Sequence, residues 1–288
     1  MKKERIVEII DHLIYEVAKD DKNNILICGE EGTGKEHVAK RIVASYTEDV
    51  PFAICNITPS TTFEKIKPFI LKANGGTLCL DEIGDLKMEE QKLLHQALQS
   101  KEIDTLPYSK KNKFSLRLIC TTNKELQKEI IRGSFNKNLY NLINGFTIEL
   151  PPLRDYGEEI LELAEGLIFD YCKKNHMQIK YLSSGARDTL LNYSYPKNHR
   201  ELRAIIELTL SMSNSSIIYP DEIYLRKSEQ ENLLGEELPL REYESRIIKH
   251  FLDKYDNKVY FVAKKLDVSK NKIYNVIQRS LTKSTKKG

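Results

Sequence analysis

The 288-residue chain lacks the features that define several classes of protein. No apolar run approaches the roughly 20 residues that cross a bilayer. The first residues, MKKERIVEII, have neither the apolar core nor the cleavage site of a signal peptide. The five cysteines are widely spaced and form no CxxC pair, so we interpret them as reduced core residues rather than a metal or redox site. These absences predict a cytoplasmic protein without a membrane partner.

Net charge is also small, but it is unevenly distributed. The whole chain carries a formal charge of +3, whereas residues 257–288 contain nine Lys or Arg and one Asp and carry +8. The rest of the chain is therefore mildly acidic. A basic end on an acidic body predicts that nucleic acid, here DNA, binds at that end.

Strand and helix patterns alternate through the first half of the chain. Five short apolar runs predict buried strands: ILIC (25–28), FAIC (52–55), TLCL (77–80), LRLICTT (116–122) and FTIEL (146–150). The segments EHVAKRIVASY and EEQKLLHQALQ between them have apolar residues at helical spacing. This alternation predicts an α/β fold with a mostly parallel sheet that is covered on both faces.

The chain divides at PPLRDY (151–156), after which only helical patterns occur. We predict four segments: an α/β nucleotide-binding subdomain at 1–154 that begins with a helix at 1–18, a helical lid subdomain at 155–228, a linker at 229–237, and a small all-α domain at 238–288.

A glycine-rich segment, GEEGTGKE, lies between the first predicted strand and a helix. Its glycines let backbone N–H groups converge on phosphate oxygens, and its lysine can reach the β- and γ-phosphates. The pattern predicts an ATP-binding P-loop rather than a chance glycine-rich turn, because a strand and a helix flank it. The predicted contacts are Gly29, Glu30, Glu31, Gly32, Thr33, Gly34, Lys35 and Glu36.

Two acidic residues supply the catalytic half of this predicted site. Glu36 stands where a Ser or Thr hydroxyl normally contacts Mg²⁺, so the ion needs another carboxylate. Asp81 and Glu82 follow a predicted strand and would lie beside the P-loop at the carboxyl edge of the sheet. We predict that Asp81 binds Mg²⁺ through water and that Glu82 polarises the attacking water. The alternative is an acidic turn that caps the next helix.

Six segments resemble one known family in their order and spacing: GEEGTGKE, GGTLCLDEIGDL, CTTNKEL, FNKNLYNLINGF, LPPLRD and YPKNHREL. The family is the sigma-54-interacting AAA+ domain of bacterial enhancer-binding proteins, and the resemblance covers about residues 5–225. It implies an AAA+ P-loop fold, ATP and Mg²⁺, a homo-oligomer (dimer or ring), and RNA polymerase or a sigma factor as a candidate partner. It also implies that Asn123 senses the γ-phosphate, Asn56 restrains Glu82, and Arg200 is the lid arginine that reaches the phosphates.

Two departures from the family change what the resemblance implies. The family has a long insertion carrying the sigma-contacting motif GAFTGA, whereas here only residues 57–74 bridge that gap, without the motif. Two arginines that act in trans on a neighbour's ATP are replaced by Asn136 and Leu142. Because such an arginine is worth ~10³–10⁵ in rate, we expect ATP binding without fast hydrolysis unless Lys137 or Arg132 supplies the charge.

The basic end resembles the Fis-type helix-turn-helix domain of enhancer-binding proteins. VAKKLDVSKNKIY has a short turn between two helical patterns, with Asp267 in place of the usual turn glycine. Asp tolerates a left-handed conformation better than most residues. The alternative is a basic three-helix oligomerisation module. The predicted DNA contacts are Ser269, which also caps the last helix, Lys270, Asn271, Lys272, Asn275 and Arg279.

Two functions from different classes follow from these patterns. The first is a transcription regulator that binds ATP and DNA but does not activate sigma-54. The second is an ATPase motor or loader that remodels another protein and uses its basic end as an anchor. The missing arginines and the missing loop favour the first, because a motor needs both.

Overall fold

The computed structural model describes residues 5–20, 23–46, 50–104, 112–225, 240–255, 258–274 and 276. The chain divides into two compact units, residues 1–224 and 225–288. Within those described ranges, no helix is both long enough and apolar enough to cross a membrane.

A five-stranded parallel sheet forms the centre of the first unit. Its spatial order is β2-β3-β6-β1-β7, and every pairing is parallel. The strands are β1 (Ile25–Cys28), β2 (Phe52–Asn56), β3 (Thr77–Asp81), β6 (Arg117–Thr122) and β7 (Phe146–Glu149). All five predicted strands are confirmed, with ends that differ by one residue at most. A two-stranded antiparallel pair, β4 (Glu102–Ile103) and β5 (Asn112–Lys113), stands apart from this sheet.

Helices cover both faces of the sheet, as the alternating pattern predicted. On one face α1 (Ile6–Ala18) and α2 (Lys35–Tyr46) pack against apolar side chains of the strands. The other face is covered by α3 (Phe63–Lys72), α4 (Met88–Ser100), α5 (Leu126–Ile131) and α6 (Lys137–Ile143). The β2–β3 connection, where the family resemblance places a long insertion, therefore contains α3.

Four of the five cysteines belong to this core, and the fifth, Cys172, is buried in a helix that follows it in the chain. Cys55 and Cys120 lie in one apolar cluster of the sheet and Cys79 in the other. All five thiols are free, and burial raises the pKa of Cys79 to about 12 and that of Cys28 to about 11. Such thiols stay protonated and unreactive near neutral pH. In the described part of the chain, no group of three or more metal-ligating side chains forms.

The lid subdomain contains α7 (Glu159–Lys174), α8 (Ser184–Leu191) and α9 (Asn198–Met212). The expectation that it holds only helices is wrong, because β8 (Tyr181–Leu182) pairs in parallel with β9 (Ile217–Ile218). Leu182 and Ile218 are buried while Tyr181 and Ile217 are exposed. Strands of two residues are too short to produce a readable alternation, and these arise because two loops of the lid run side by side.

The second unit contains α10 (Leu240–Lys254) and α11 (Val259–Leu266), followed by helical residues at 270–274. Its small core includes Leu252, Val262 and Ile273. Asp267 ends α11 with φ 51° and ψ 47°, the left-handed conformation that a turn glycine normally takes. The predicted linker at 229–237, the side chain of Asn275 and all of Arg279 lie outside the described residues.

Candidate functional site

The candidate phosphate loop is shaped by glycines between β1 and α2. Gly32 and Gly34 have φ values of 80° and 92°, which side chains bearing a Cβ rarely adopt. A Cβ on Gly32 would lie 2.1 Å from the carbonyl oxygen of Lys197, whereas a Cβ on Gly34 would meet nothing within 4 Å. The loop is therefore pressed against the lid at Gly32 and open at Gly34.

Lys35 begins α2 and lies beneath this loop with only 5% of its side chain exposed. Its ammonium group donates to the carbonyl oxygens of Gly29 (3.0 Å) and Glu30 (3.1 Å). It also lies 2.9 Å from a carboxylate oxygen of Glu82. A buried ammonium needs such partners, because desolvation penalises an unpaired charge. These contacts hold a cation at the start of a helix, where anions bind favourably.

Asp81 and Glu82 lie at the carboxyl edge of the sheet, at the end of β3. The hydroxyl of Thr121 donates to a carboxylate oxygen of Asp81 (2.5 Å) and accepts the backbone N–H of Glu82 (3.0 Å). Glu82 has φ 59° and ψ 49°, a conformation that costs about 1–3 kcal/mol for a residue other than glycine. In this conformation its carboxylate lies beside the ammonium group of Lys35. Sequence reasoning did not assign a role to Thr121, although it lies within the segment CTTN.

The two asparagines predicted as sensors take different positions. The backbone N–H of Asn123 donates to Glu82 (2.8 Å), and its side chain lines the cleft beside the loop. Asn56 ends β2 in register with Asp81 and is exposed. Among the residues described, its side chain makes no hydrogen bond to Glu82, whose carboxylate contacts Lys35 and Asn123 instead. Restraint of Glu82 by Asn56 therefore stays a prediction.

Arginines reach the loop from the far side of the cleft. Arg200, in the first turn of α9, donates to a carboxylate oxygen of Glu31 (3.0 Å). Arg154 forms a bidentate pair with Glu30, with distances of 2.7 and 2.9 Å. These hydrogen bonds hold the pKa of the Glu30 carboxyl below its usual range. Sequence reasoning missed Arg154, although LPPLRD contains it.

The start of α9 also binds the loop through its backbone and a buried amide. The N–H of His199 donates to the carbonyl of Gly32 (3.0 Å). The amide of Asn198 donates to the carbonyl of Glu31 (2.9 Å) and to Glu30 (3.2 Å), and accepts from the backbone of Leu153 (2.8 Å). Asn198 is fully buried with φ 50°. The lid and the loop are thus joined by side-chain and main-chain bonds.

Two cavities flank the loop and meet at it. The first, ≈890 Å³, is polar and is lined by Lys35, Glu36, Asp81, Glu82 and Arg200, among others. Glu36 is about half exposed and pairs with Lys40 at 2.7 Å along α2. Among the predicted residues of the nucleotide site, Gly29, Glu30, Thr33 and Asn56 are not part of its lining, and the others all are.

The second cavity, ≈540 Å³, lies between α1, α2, α7 and α9 and is mainly apolar, with Val38, Leu163 and Leu202 among its lining residues. His199 borders both cavities. Burial lowers the pKa of its imidazole, and within the described structure its buried Nδ1 has no hydrogen-bond partner. Ligand pockets combine an apolar body with a few polar groups in this way.

The positions at which the family resemblance places trans-acting arginines have structural roles here. The side chain of Asn136 caps α6 by accepting the N–H groups of Asn138 (2.8 Å) and Leu139 (3.1 Å). Leu142 packs against the apolar core. Of the nearby cations, Arg132 pairs with Glu129 at 2.7 Å, and Lys137 is exposed.

Four of the six predicted DNA-contacting residues fall within the described part of the second unit, and all four lie on its surface. Ser269 accepts the N–H of Lys272 (3.3 Å), as a helix cap does. Lys270 lies over the ring of Tyr260 at 4.5 Å, and Lys272 pairs with Glu244 at 2.8 Å. Asn271 is exposed. Exposed pairs of this kind are weak and exchange readily for a phosphate.

Comparisons with known proteins match both parts of the first unit. Residues 3–153 match the sigma-54 interaction domain, and residues 154–235 match the AAA+ ATPase lid domain. The chain is 31% identical over 226 residues to nitrogen fixation protein AnfA of Azotobacter vinelandii, covering 72% of this chain and 42% of AnfA. It is 29% identical over 294 residues to transcriptional regulatory protein ZraR of Salmonella typhimurium, covering 94% of this chain and 67% of ZraR.

Solved structures share the fold. NtrX from Brucella abortus in complex with ATP matches with a TM-score of 0.71 and 21% identity, over 97% of this chain and 68% of NtrX. This identity is low, so the likeness concerns the fold alone. Because the chain spans only 42% of AnfA, the activity of a whole relative does not transfer with the match.

Proposed function

The chain belongs to the sigma-54 interaction domain family of AAA+ proteins, and from that premise we propose that it is an ATP-binding, DNA-binding transcription regulator. It does not activate sigma-54 polymerase, and it turns ATP over slowly at most. The observation that carries the ATP site is Lys35, buried under a glycine loop between a polar and an apolar cavity.

The residues present fit a nucleoside triphosphate. Gly34 leaves open space where a side chain would intrude, and Lys35 offers a cation next to N–H groups of a helix start. The apolar cavity suits a purine base, and His199 lies at its border with the phosphate cleft. Each half of a nucleotide therefore meets a surface of matching chemistry.

The acidic edge of the sheet fits Mg²⁺. Bound there with the nucleotide, Mg²⁺ would neutralise phosphate charge. Asp81 would hold it through water, since Thr121 already donates to this carboxylate and orients it. Glu82 would accept a proton from water, and in this conformation its carboxylate is held by Lys35 and by the backbone of Asn123.

The positions of Asn136 and Leu142 support slow turnover. Both side chains are used within their own subunit, one as a helix cap and one in the core. An ATPase motor needs a cation delivered in trans. Lys137 and Arg132 are both exposed candidates, and Lys137 is tested first because Arg132 pairs with Glu129. Turnover measured beside affinity on the full chain decides between a ligand-controlled switch and a motor. Tight binding with slow turnover supports the switch, and rapid turnover that Lys137→Ala removes supports the motor.

The inability to activate sigma-54 rests on the β2–β3 connection. Residues 57–74 form α3 and its flanking turns, without the GAFTGA motif. An in vitro transcription assay with sigma-54 polymerase, ATP and this protein should yield no open complex. Open complexes that depend on both ATP and the protein would contradict the proposal.

DNA binding, with the protein as a homo-oligomer, is proposed for the second unit. Its basic surface includes Lys270, Asn271 and Lys272 beside a helix cap. In a gel-shift titration of the full chain, Lys272→Ala should lower affinity and reduce the log–log salt slope by about one if this lysine meets a phosphate. Lys249→Ala, an exposed lysine on α10, is the matched control. Binding that prefers no sequence over random competitor would favour the oligomerisation module instead.

A further inference from the structure

Four cations line the phosphate cleft, Lys35, Lys40, Arg200 and Arg203, and two of them pair with a carboxylate from another part of the fold. Lys35 lies 2.9 Å from Glu82, and Arg200 lies 3.0 Å from Glu31. The first pair is largely buried, with Lys35 only 5% exposed, whereas Arg200 and Glu31 are 71% and 53% exposed. The second pair can therefore open without moving the core.

Glu31 is part of the candidate phosphate loop itself, between Glu30 and Gly32. Its backbone carbonyl is fixed by the amide of Asn198 (2.9 Å), and the next carbonyl, that of Gly32, is fixed by His199 N–H (3.0 Å). The loop backbone and the start of α9 thus hold each other in place. Only the two long side chains, Glu31 and Arg200, are left to change partners.

The neighbouring ion pair, between Arg154 and Glu30, is held more firmly and is less able to exchange partners. Arg154 donates two hydrogen bonds to the carboxylate of Glu30, and the amide of Asn198 donates a third. The carboxylate of Glu31, by contrast, accepts one hydrogen bond, from one nitrogen of Arg200. Both residues line the phosphate cleft. An anion that enters the cleft therefore meets Arg200 before it meets Arg154.

We propose that Glu31 is an internal competitor of nucleotide phosphate for Arg200. The proposal rests on the ATP site proposed above. Arg200 binds the Glu31 carboxylate in the conformation described here and exchanges it for phosphate oxygens when a nucleoside di- or triphosphate enters. Glu31 thereby weakens nucleotide binding and makes affinity depend on the charge of the phosphate chain.

The expected effect is modest because the pair is exposed. Replacing Glu31 with Gln keeps the shape of the side chain and removes its charge, and we expect affinity to rise about two- to fivefold. The gain should be larger for ATP than for ADP and absent for AMP, because we expect Arg200 to reach the β- and γ-phosphates, which AMP lacks. It should shrink as salt screens the pair.

The test is a double-mutant cycle on the full chain. Calorimetric titrations with ATP, ADP and AMP compare the wild type, Glu31→Gln, Arg200→Ala and the double variant. Glu165→Gln is the matched control, because Glu165 forms an ion pair of similar exposure with Arg187 elsewhere in the lid. We expect the gain in Glu31→Gln to vanish when Arg200 is absent, and no change in the control.

The contrary outcomes are distinct. If Glu31→Gln tightens binding equally with and without Arg200, the carboxylate acts by simple repulsion and the proposal is wrong. Unchanged affinity in Glu31→Gln, beside clear binding by the wild type, removes this proposal but leaves the ATP site. A folded wild type that binds no nucleotide removes both.

Discussion

The two sides of the phosphate loop use the same kind of ion pair in different surroundings. On the sheet side Lys35 is buried and contacts Glu82 and two backbone carbonyls. On the lid side Arg154 and Arg200 contact Glu30 and Glu31 in the open, with 44–71% of each side chain exposed. The difference is one of solvent access, not of chemistry.

Burial decides how much each pair can contribute. Breaking a buried pair leaves an uncompensated charge and costs about 3–5 kcal/mol, whereas an exposed pair is worth about 0–1 kcal/mol. The sheet side is therefore suited to fixing a site, and the lid side to responding to a ligand. Variants on the two sides should differ in the same order, and the predictions below test that order from the largest effect to the smallest.

Removal of the buried cation should have the largest effect. Lys35→Ala deletes the charge that faces the proposed phosphates and leaves Glu82 without its cation, so nucleotide affinity should fall about 100-fold or more. Calorimetric titration measures it, with Lys19→Ala as the control because Lys19 forms an exposed pair with Glu16 far from the loop. Unchanged affinity in Lys35→Ala would refute the ATP site.

Disruption of the contact between the phosphate loop and the lid should have the second largest effect. Gly32→Ala places a Cβ 2.1 Å from the carbonyl of Lys197 in a residue with φ 80°. Gly133→Ala is the matched control, since it has a similar φ of 74° but meets nothing within 4 Å. Both variants carry the conformational strain, about 1 kcal/mol, and the clash should cost Gly32→Ala about 1–3 kcal/mol more. Thermal unfolding should show a midpoint several degrees lower than in Gly133→Ala. Equal midpoints would mean that the lid does not press on the loop.

Removal of the Thr121 hydroxyl, which bonds to both Asp81 and Glu82, should have the third largest effect. Thr121→Val keeps the shape but removes the hydrogen bonds to Asp81 and to the backbone of Glu82. Leaving the half-buried N–H of Glu82 unpaired should cost about 1–3 kcal/mol. Thr209→Val is the control, because the buried hydroxyl of Thr209 has no hydrogen-bond partner within the described structure, and its loss should be neutral or stabilising. A comparison of thermal midpoints tests the difference. Equal losses in both variants would contradict the role of Thr121.

The sheet side of the site was more predictable from sequence than the lid side. The strands of the sheet lie in short, mainly apolar runs. Asp81 and Glu82 stand at the carboxyl end of one run, and Lys35 follows another after the glycine loop. Their convergence follows from parallel strands ending at one edge. The left-handed conformation of Asp267 was also foreseeable, because few residues other than Asp and Asn can replace a turn glycine.

The lid contacts could not be predicted because they join residues far apart in the chain. Arg154 lies 124 positions from Glu30, and Arg200 lies 169 positions from Glu31. No local pattern says which acid a surface arginine will meet. Thr121 was missed for another reason. Its hydroxyl forms hydrogen bonds with Asp81 and Glu82 at the end of the neighbouring strand, but a threonine within a predicted strand is usually explained by the β-propensity of threonine alone.

The smallest effect should come from the exposed pair between Glu30 and Arg154. Because Arg154 lowers the pKa of the Glu30 carboxyl in the folded protein, the pair adds stability above the unfolded pKa of about 4.3. That stability is lost as pH falls through the lower folded pKa. Since both side chains are about half exposed, it amounts to about 0.2–1 kcal/mol.

Glu30→Gln cannot ionise, so it isolates this contribution of the lid side. Its thermal midpoint in the absence of nucleotide should lie about 1–3 °C below that of the wild type at pH 7. The gap should narrow as pH falls below about 4.3 and close once pH is below the folded pKa of Glu30, where the wild-type carboxylate also becomes protonated. In an Arg154→Leu background the gap should be small at every pH, because the main partner of Glu30 is gone. A gap of the same size at pH 7 and pH 3 would mean that packing, not charge, joins the lid to the loop, and the division between a fixed side and a responsive side would then fail.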